Sequence, residues 1–312
     1  MSSPISGTEP APTSWWTGSG ASSSSSPEAP SPGRTGRDGF LGLAFERRRD
    51  RTVLTGRRFT LPLQALEPMD LDGTGAATLF LLNPTGGVLG GDRLETRVDL
   101  GAGSRVCLST PSATRVYRSA GQSAGSPSMQ RLTARVGDDA WLEYMPDHVI
   151  PSPGARLVQS IDVHLAPGAS AVLCDAWSVG RVARGEAWLF DLLDAGITVS
   201  DTEGLLFKDR LVLHGARGWG ALGGTEGMAY VATVLCVAPV HPRLAGLAGA
   251  LVERLASLAL ESHAGVTPLA RGGVLVRILA PSAPAMQRTI GAAWAACRDW
   301  LWGLPPQLLR KM

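Results

Sequence analysis

From Phe40 to about Pro239, apolar and polar residues mostly alternate. Leu157, Gln159, Ile161, Val163 and Leu165 interleave with Val158, Ser160, Asp162, His164 and Ala166. Between Leu205 and His214, the residues Leu205, Phe207, Leu211 and Leu213 fall on one side of a similar alternation. A period of two sends successive side chains to opposite faces of an extended chain, so each segment predicts a strand with one core-facing side. Met228–Val237 is apolar at nearly every position, which predicts a central strand covered on both faces. Breaks at Leu100-Gly101-Ala102-Gly103, Val136-Gly137-Asp138-Asp139 and Leu165-Ala166-Pro167-Gly168 each follow one strand and precede another. Gly supplies positive φ and Pro presets a bend, so these are predicted turns. Their recurrence at roughly thirty-residue intervals suggests a stacked β unit, repeated irregularly.

The period then changes. Leu244, Leu247, Leu251, Leu255 and Leu258 step by three or four, as do Met286, Ile290, Trp294, Cys297 and Leu301. Each set forms one apolar stripe on a predicted helix. Pro242 precedes the first helix, and Gly303-Leu304-Pro305-Pro306 ends the second. Gly273–Ala280 reads as a further strand between them. The predicted fold is mainly β, with stacked strands and a small helical element near the C-terminus. One domain over 39–312 is expected, β-rich over 39–240 and α+β over 241–312. Residues 1–38 are dominated by Ser, Pro and Gly, and read as a disordered tail that buries too little apolar surface to offset its chain entropy. Trp15 and Trp16 are an aromatic pair within it.

Composition narrows the function classes. Hydrophobic residues make up 44% of the 312, enough for a large core, and charged residues only 18%. That low charge suggests a surface partly covered by partners. The net charge of +2 argues for neither nucleic acid nor an anionic membrane as partner. Cys107, Cys174, Cys236 and Cys297 lie far apart in apolar stretches and read as core residues rather than a closed metal site. There is no apolar run of about 20 residues and no basic start followed by an apolar stretch, so a reduced, cytoplasmic setting is expected.

Four segments carry candidate chemistry. The stretch from Asn83 to Asp92 holds Gly86, Gly87, Gly90 and Gly91. No Lys-Ser or Lys-Thr follows, and Arg93–Leu100 has a strand pattern, which opposes a phosphate loop. A structural turn and a protein-binding or solute-lining loop both remain, with Asp92 fixing the loop through backbone hydrogen bonds. Arg115, Tyr117 and Arg118 combine residue types typical of interface anchors, or mark a polar strand edge. Glu143, Asp147 and His148 lie within six residues. On a continuous strand Glu143 and Asp147 would share a face and could hold a divalent metal transiently, or form a solvated strand end. Gly180, Arg181 and Glu186 offer a buried ion pair or a charged turn. No catalytic motif is present, and the five histidines are scattered.

Taken in order, these segments resemble the UreD (UreH) family of urease accessory proteins. The family's Pro-x-Gly-Gly-x-x-Gly-Gly-Asp is matched by Pro84 to Asp92, and its Thr-x-x-Ala-Thr-Lys-x-Tyr-Arg-Ser-like stretch by Thr110 to Ser119. Leu142 to Pro146 matches Leu-Glu-x-x-Pro, and Gly180 to Glu186 matches Gly-Arg-x-Ala-x-Gly-Glu. Gly265-Val266-Thr267, Gly272 to Arg277 and the Trp-rich helix also fit, so the resemblance covers about residues 40–310. Arg115 stands where Lys is usual, Thr85 where Pro is common, and Pro146-Asp147-His148 replaces Pro-Gln-Glu.

The resemblance implies a β-helix-like stack of strands and a metallochaperone scaffold for nickel insertion into apo-urease, not an enzyme. It implies UreF, UreG and apo-urease as partners, no tightly bound cofactor, and transient Ni²⁺ in interior passages. Asp92, Glu143, Asp147 and Glu186 are then the candidate carboxylates on that route, with the glycine loop shaping its wall. The alternatives are a scaffold or divergent paralogue without a metal role, or a small-molecule enzyme using the glycine loop.

Overall fold

The computed structural model describes residues 37–118, 125–215, 219–221, 223–258, 261–307 and 309. The expected tail over 1–38 falls outside them except for Arg37 and Asp38, as do Trp15, Trp16 and Ser119.

Two sheets face each other. The first has seven strands in the order β16 (Gly204–Leu213), β15 (Leu192–Asp201), β11 (Arg156–Leu165), β8 (Ser128–Val136), β5 (Arg93–Leu100), β1 (Asp38–Arg48) and β2 (Arg51–Thr60). Its interior pairs are parallel and its two end pairs antiparallel. The second sheet runs β18 (His263–Pro268), β19 (Gly273–Ala280), β17 (Tyr230–Val237), β12 (Ser170–Ser178), β9 (Trp141–Met145), β6 (Arg105–Ser109), β4 (Ala77–Leu82) and β3 (Gln64–Ala65). Two short strands, β7 (Thr114–Val116) and β10 (Val149–Pro151), pair beside it, and β13 (Gly180–Arg181) with β14 (Glu186–Ala187) form a small ribbon. From β4 to β12 the chain crosses between the sheets, so consecutive long strands stack in parallel ladders. This is the β-helix-like arrangement of a mainly β protein.

The glycine breaks are the corners of that stack. Gly101 N–H donates to Phe45 O (2.8 Å), Gly137 N–H to Leu100 O (2.9 Å) and Ala166 N–H to Val136 O (2.8 Å), so successive corners hydrogen-bond one upon the next. A side chain on Gly137 would lie 2.6 Å from Leu100 O, closer than any Cβ approaches.

Alternation places one apolar core between the sheets, built on residues such as Leu43, Leu79, Leu108, Leu142, Ile161 and Leu173. Val116, Leu157, Trp177, Phe190 and Leu193 form a second core. The outer face of the second sheet is covered by α1 (Leu244–Ala256) and α2 (Ala283–Cys297), which bury Leu247, Leu251, Leu255, Met286 and Trp294 against it. Burying each Leu is worth about 1.5–3 kcal/mol. β17 is therefore central and covered on both faces, as its unbroken apolar pattern predicts. The Ser282 hydroxyl caps α2 by accepting from Ala285 N–H (3.3 Å). α2 runs on through a π-helical turn, Arg298–Trp302, which Gly303 closes at φ 63°.

Two local expectations differ. The register shifts where Val199 faces Phe207 and Ser200 faces Leu205, a bulge that turns Leu206 inward and leaves Leu205 exposed. β9 stops at Met145, so Asp147 lies beyond the strand and does not share a face with Glu143. No helix among the described residues is long and apolar enough to cross a membrane.

Candidate functional site

Each of three neighbouring strands of the second sheet carries one inward polar residue at the same level. Asp175 on β12 faces Thr233 on β17, which faces Arg277 on β19. Leu173, Leu235 and Leu275 lie on one side of this row, in the core between the sheets. Trp177 and Val231 lie on the other side, in the second core. The opposite sheet supplies Gln159 on β11, set between Ile161 and Leu157, with Gln130 of β8 beside it. A polar layer one residue thick thus crosses the sandwich between two apolar cores.

The layer is hydrogen-bonded across the sheets. Gln159 Nε2 donates to Asp175 Oδ1 (2.7 Å). Arg277 donates from Nη1 to Thr233 Oγ1 (2.7 Å) and from Nη2 to Asp209 Oδ2 (2.5 Å) on β16. Burial pushes the Asp175 carboxyl up to about 6, against the Gln159 hydrogen bond and the Arg277 charge, which favour the anion. Burial likewise raises Tyr144, with the Asp175 charge adding to it.

A cavity of about 360 Å³ opens onto this layer. Its inner wall includes Tyr144, Gln159 and Asp175, and its outer part is formed by Gly86, Gly87, the segment Thr110–Arg115 and Asp147. Asn83 Oδ1 accepts from Thr85 N–H (3.2 Å), and Asp92 Oδ2 accepts from Leu89 N–H (2.8 Å), so side chains pin both ends of the glycine loop. Gly87 packs where a Cβ would lie 2.6 Å from Arg115 O and from the Tyr117 ring. Val88 and Val116 bridge the loop to β7. The loop is thus a wall seated on a strand, and no helix opens after it.

The sequence-derived residues are therefore split. Asp147 and Arg115 reach the cavity, and Asp147 N–H donates to Thr110 Oγ1 (2.8 Å). Asp92 is buried in its turn, where burial raises its carboxyl despite the Leu89 hydrogen bond. Tyr117 N–H donates to Val88 O (2.8 Å), and Arg118 bridges to Ala155. Glu186 receives both arms of Arg181 across the β13–β14 ribbon, one at 2.9 Å. Gly180, at φ 141°, lets that ribbon close, since a Cβ there would lie 2.1 Å from Glu186 O. Gly90 and Gly91 sit inside the pinned loop, and the Gly91 carbonyl accepts from Arg37 (3.4 Å).

Glu143 faces away from the cavity. Its carboxylate accepts from Trp294 Nε1 (2.7 Å) and Arg298 Nη1 (2.5 Å) under α2. Arg298, 0% exposed, also binds Asp72, Gln307 Oε1 (3.0 Å) and Pro305 O (2.9 Å). Gln307 in turn donates to Thr78 Oγ1 (2.8 Å). Burial holds Glu143 above the usual carboxylate range, while at Asp72 the Thr74 hydrogen bonds and Arg298 outweigh burial and bring it below.

The sequence did not mark Asp175, Thr233 or Asp209, and it placed Gln159 and Arg277 only in a strand and in a family-like segment. The available signal was one polar residue inside each of three otherwise apolar central strands.

The family model for the UreD urease accessory protein matches residues 37–311. The chain belongs to the UreD family. Its relatives include a urease accessory protein UreD of Cupriavidus pinatubonensis, 33% identical over 86% of this chain and 92% of that protein. That of Haloarcula marismortui is 34% identical over 89% of this chain and 92% of its own length. That of Sorangium cellulosum is 37% identical over 80% and 77%. The UreD match takes in both sheets, the polar layer and the helices that carry Trp294 and Arg298.

Proposed function

We propose that this chain serves urease maturation as a non-enzymatic accessory protein, and that nickel destined for apo-urease passes through its polar layer. In this reading it works in a complex with UreF and UreG, and nickel is cargo rather than a resident cofactor. The observation that carries the reading is the cavity lined by Asp175, which opens onto an oxygen-rich layer inside an otherwise apolar sandwich. Carboxylate, amide and hydroxyl oxygens hold a divalent transition ion weakly enough to release it, whereas several Cys or His ligands would retain it. Among the described residues no group of three or more His, Cys, Asp or Glu converges.

The route then narrows to Asp147 at the mouth, Asp175 in the middle and Asp209 at the far edge. Asp92, Glu143 and Glu186 serve the fold that surrounds it. The test is to co-express Asp175→Asn or Asp209→Asn with urease and the other accessory genes, then measure nickel in purified urease. At least a tenfold loss is expected while the accessory complex still assembles. Full nickel loading in both variants would remove the polar layer from the route.

A further inference from the structure

The cavity reaches the polar layer at Gln130, Gln159 and Asp175. Its inner wall reaches Asp175, and neither Arg277 nor Asp209 lines it. Behind Asp175, Arg277 bridges Thr233 on its own sheet and Asp209 on the opposite one. The two side chains are 42% and 29% exposed, so the pair stands between Asp175 and solvent on the side of the sandwich where β16 is the edge strand and β18 lies outside β19. A second bridge crosses the same edge, where Arg271 binds Asp201 (3.1 Å) and Glu203 (2.9 Å). The edge therefore has a strap besides Arg277.

Building on the nickel route above, we infer that Arg277 is a plug: its guanidinium occupies Asp209 and closes the inner end of the cavity to a divalent cation. Three features support this. The guanidinium is itself a cation, held on the carboxylate that an ion leaving Asp175 would meet next. Charges about 4 Å apart repel by roughly 1–4 kcal/mol between water-like and surface-like screening, so ion and guanidinium do not share Asp209. A half-exposed pair is worth only about 0–1 kcal/mol, so a modest push on the edge by a docked partner would swing Arg277 aside.

Equilibrium dialysis of the purified full chain against Ni²⁺ alone tests the plug. Wild type is expected to bind weakly through Asp175. Arg277→Gln frees Asp209 and is expected to bind about tenfold more tightly. Adding Asp209→Asn to that variant is expected to abolish the gain, which a merely structural arginine would not predict. Arg277→Lys keeps the charge but cannot span Thr233 and Asp209 together. It should fall between wild type and Arg277→Gln, and it carries the test if Arg277→Gln is poorly soluble.

Unchanged affinity in the soluble Arg277 variants, with binding still lost in Asp175→Asn, would overturn the plug and leave the route standing. A gain that survives Asp209→Asn would also overturn it. If Asp175→Asn does not weaken nickel binding, the route itself fails and the plug with it.

Discussion

Two arginines bind carboxylates inside this molecule, and their surroundings differ in one decisive respect. Arg298 is fully enclosed, and every arm has a partner in Asp72, Glu143, Gln307 or the Pro305 carbonyl. Arg277 is half-exposed, has two partners, and stands behind a carboxyl that burial has raised to about 6 beside an open cavity. A closed, satisfied cluster resists change, because removing one member strands the others without water. A cluster that borders empty polar space can exchange a partner for an ion. Each neighbourhood holds a carboxyl that burial raises, Glu143 in one and Asp175 in the other, so burial alone does not distinguish a joint from a passage. What distinguishes them is whether the hydrogen-bonding capacity is used up.

The sharpest way to break the comparison is to remove the enclosed arginine. Arg298→Met leaves Glu143 and Asp72 facing each other without a counter-charge and is expected to cost about 3–5 kcal/mol, read from urea unfolding. A loss below about 1 kcal/mol would mean that the cluster does not hold α2 to the sheet.

Asp175→Asn should behave in the opposite way. Because the folded-state value of Asp175, about 6, lies above the ordinary aspartate value of 3.8, the folded chain binds this proton more tightly than the unfolded chain. The resulting stability is complete below about pH 4 and is lost as pH rises through about 6. Wild type should lose on the order of 2–3 kcal/mol across that window, and Asp175→Asn should flatten the loss. The variant is expected to be at least as stable as wild type at neutral pH, yet to deliver less nickel. Finding it destabilised with delivery intact would put Asp175 among the joints.

Smaller effects belong to the turns. Asp92→Ala loses the bond to Leu89 N–H and should cost about 1–2 kcal/mol. Glu186→Gln weakens a partly exposed pair and should cost under about 1 kcal/mol, with nickel in urease unchanged. A large nickel defect in Glu186→Gln at normal stability would extend the route to the β13–β14 ribbon.

What could be read from the sequence followed from local periodicity. The alternation at Leu157–Leu165, the stripes of Leu247, Leu251 and Leu255, and the corner at Gly137 each report one element's contact with one layer. The glycine stretch and the segments after it were enough to place the family. The polar layer was not legible, because Asp175, Thr233 and Arg277 lie on three strands and meet only through the register of the sheet. Glu143 shows the same limit from the other side. A carboxylate in an apolar strand suggested metal chemistry, but its counter-charge lies 155 residues further on. A shared face for Glu143 and Asp147 required a continuous strand, and in Trp141–Asp147 only Pro146 marks the end of β9.

The joint between Asp72 and Arg298 spans 226 residues and sets a delay during synthesis. At ribosomal speeds of about 5–20 residues per second, the loop bearing Asp72 waits roughly 10–45 s for its counter-charge to emerge. Over that interval Thr78 on β4 lacks Gln307 and Glu143 on β9 lacks Arg298, and the outer face of β12 is open to whatever is nearby. Nascent chains arrested just before Arg298 should therefore be cut by protease within the Asp72 loop, and chains released after Gln307 should resist.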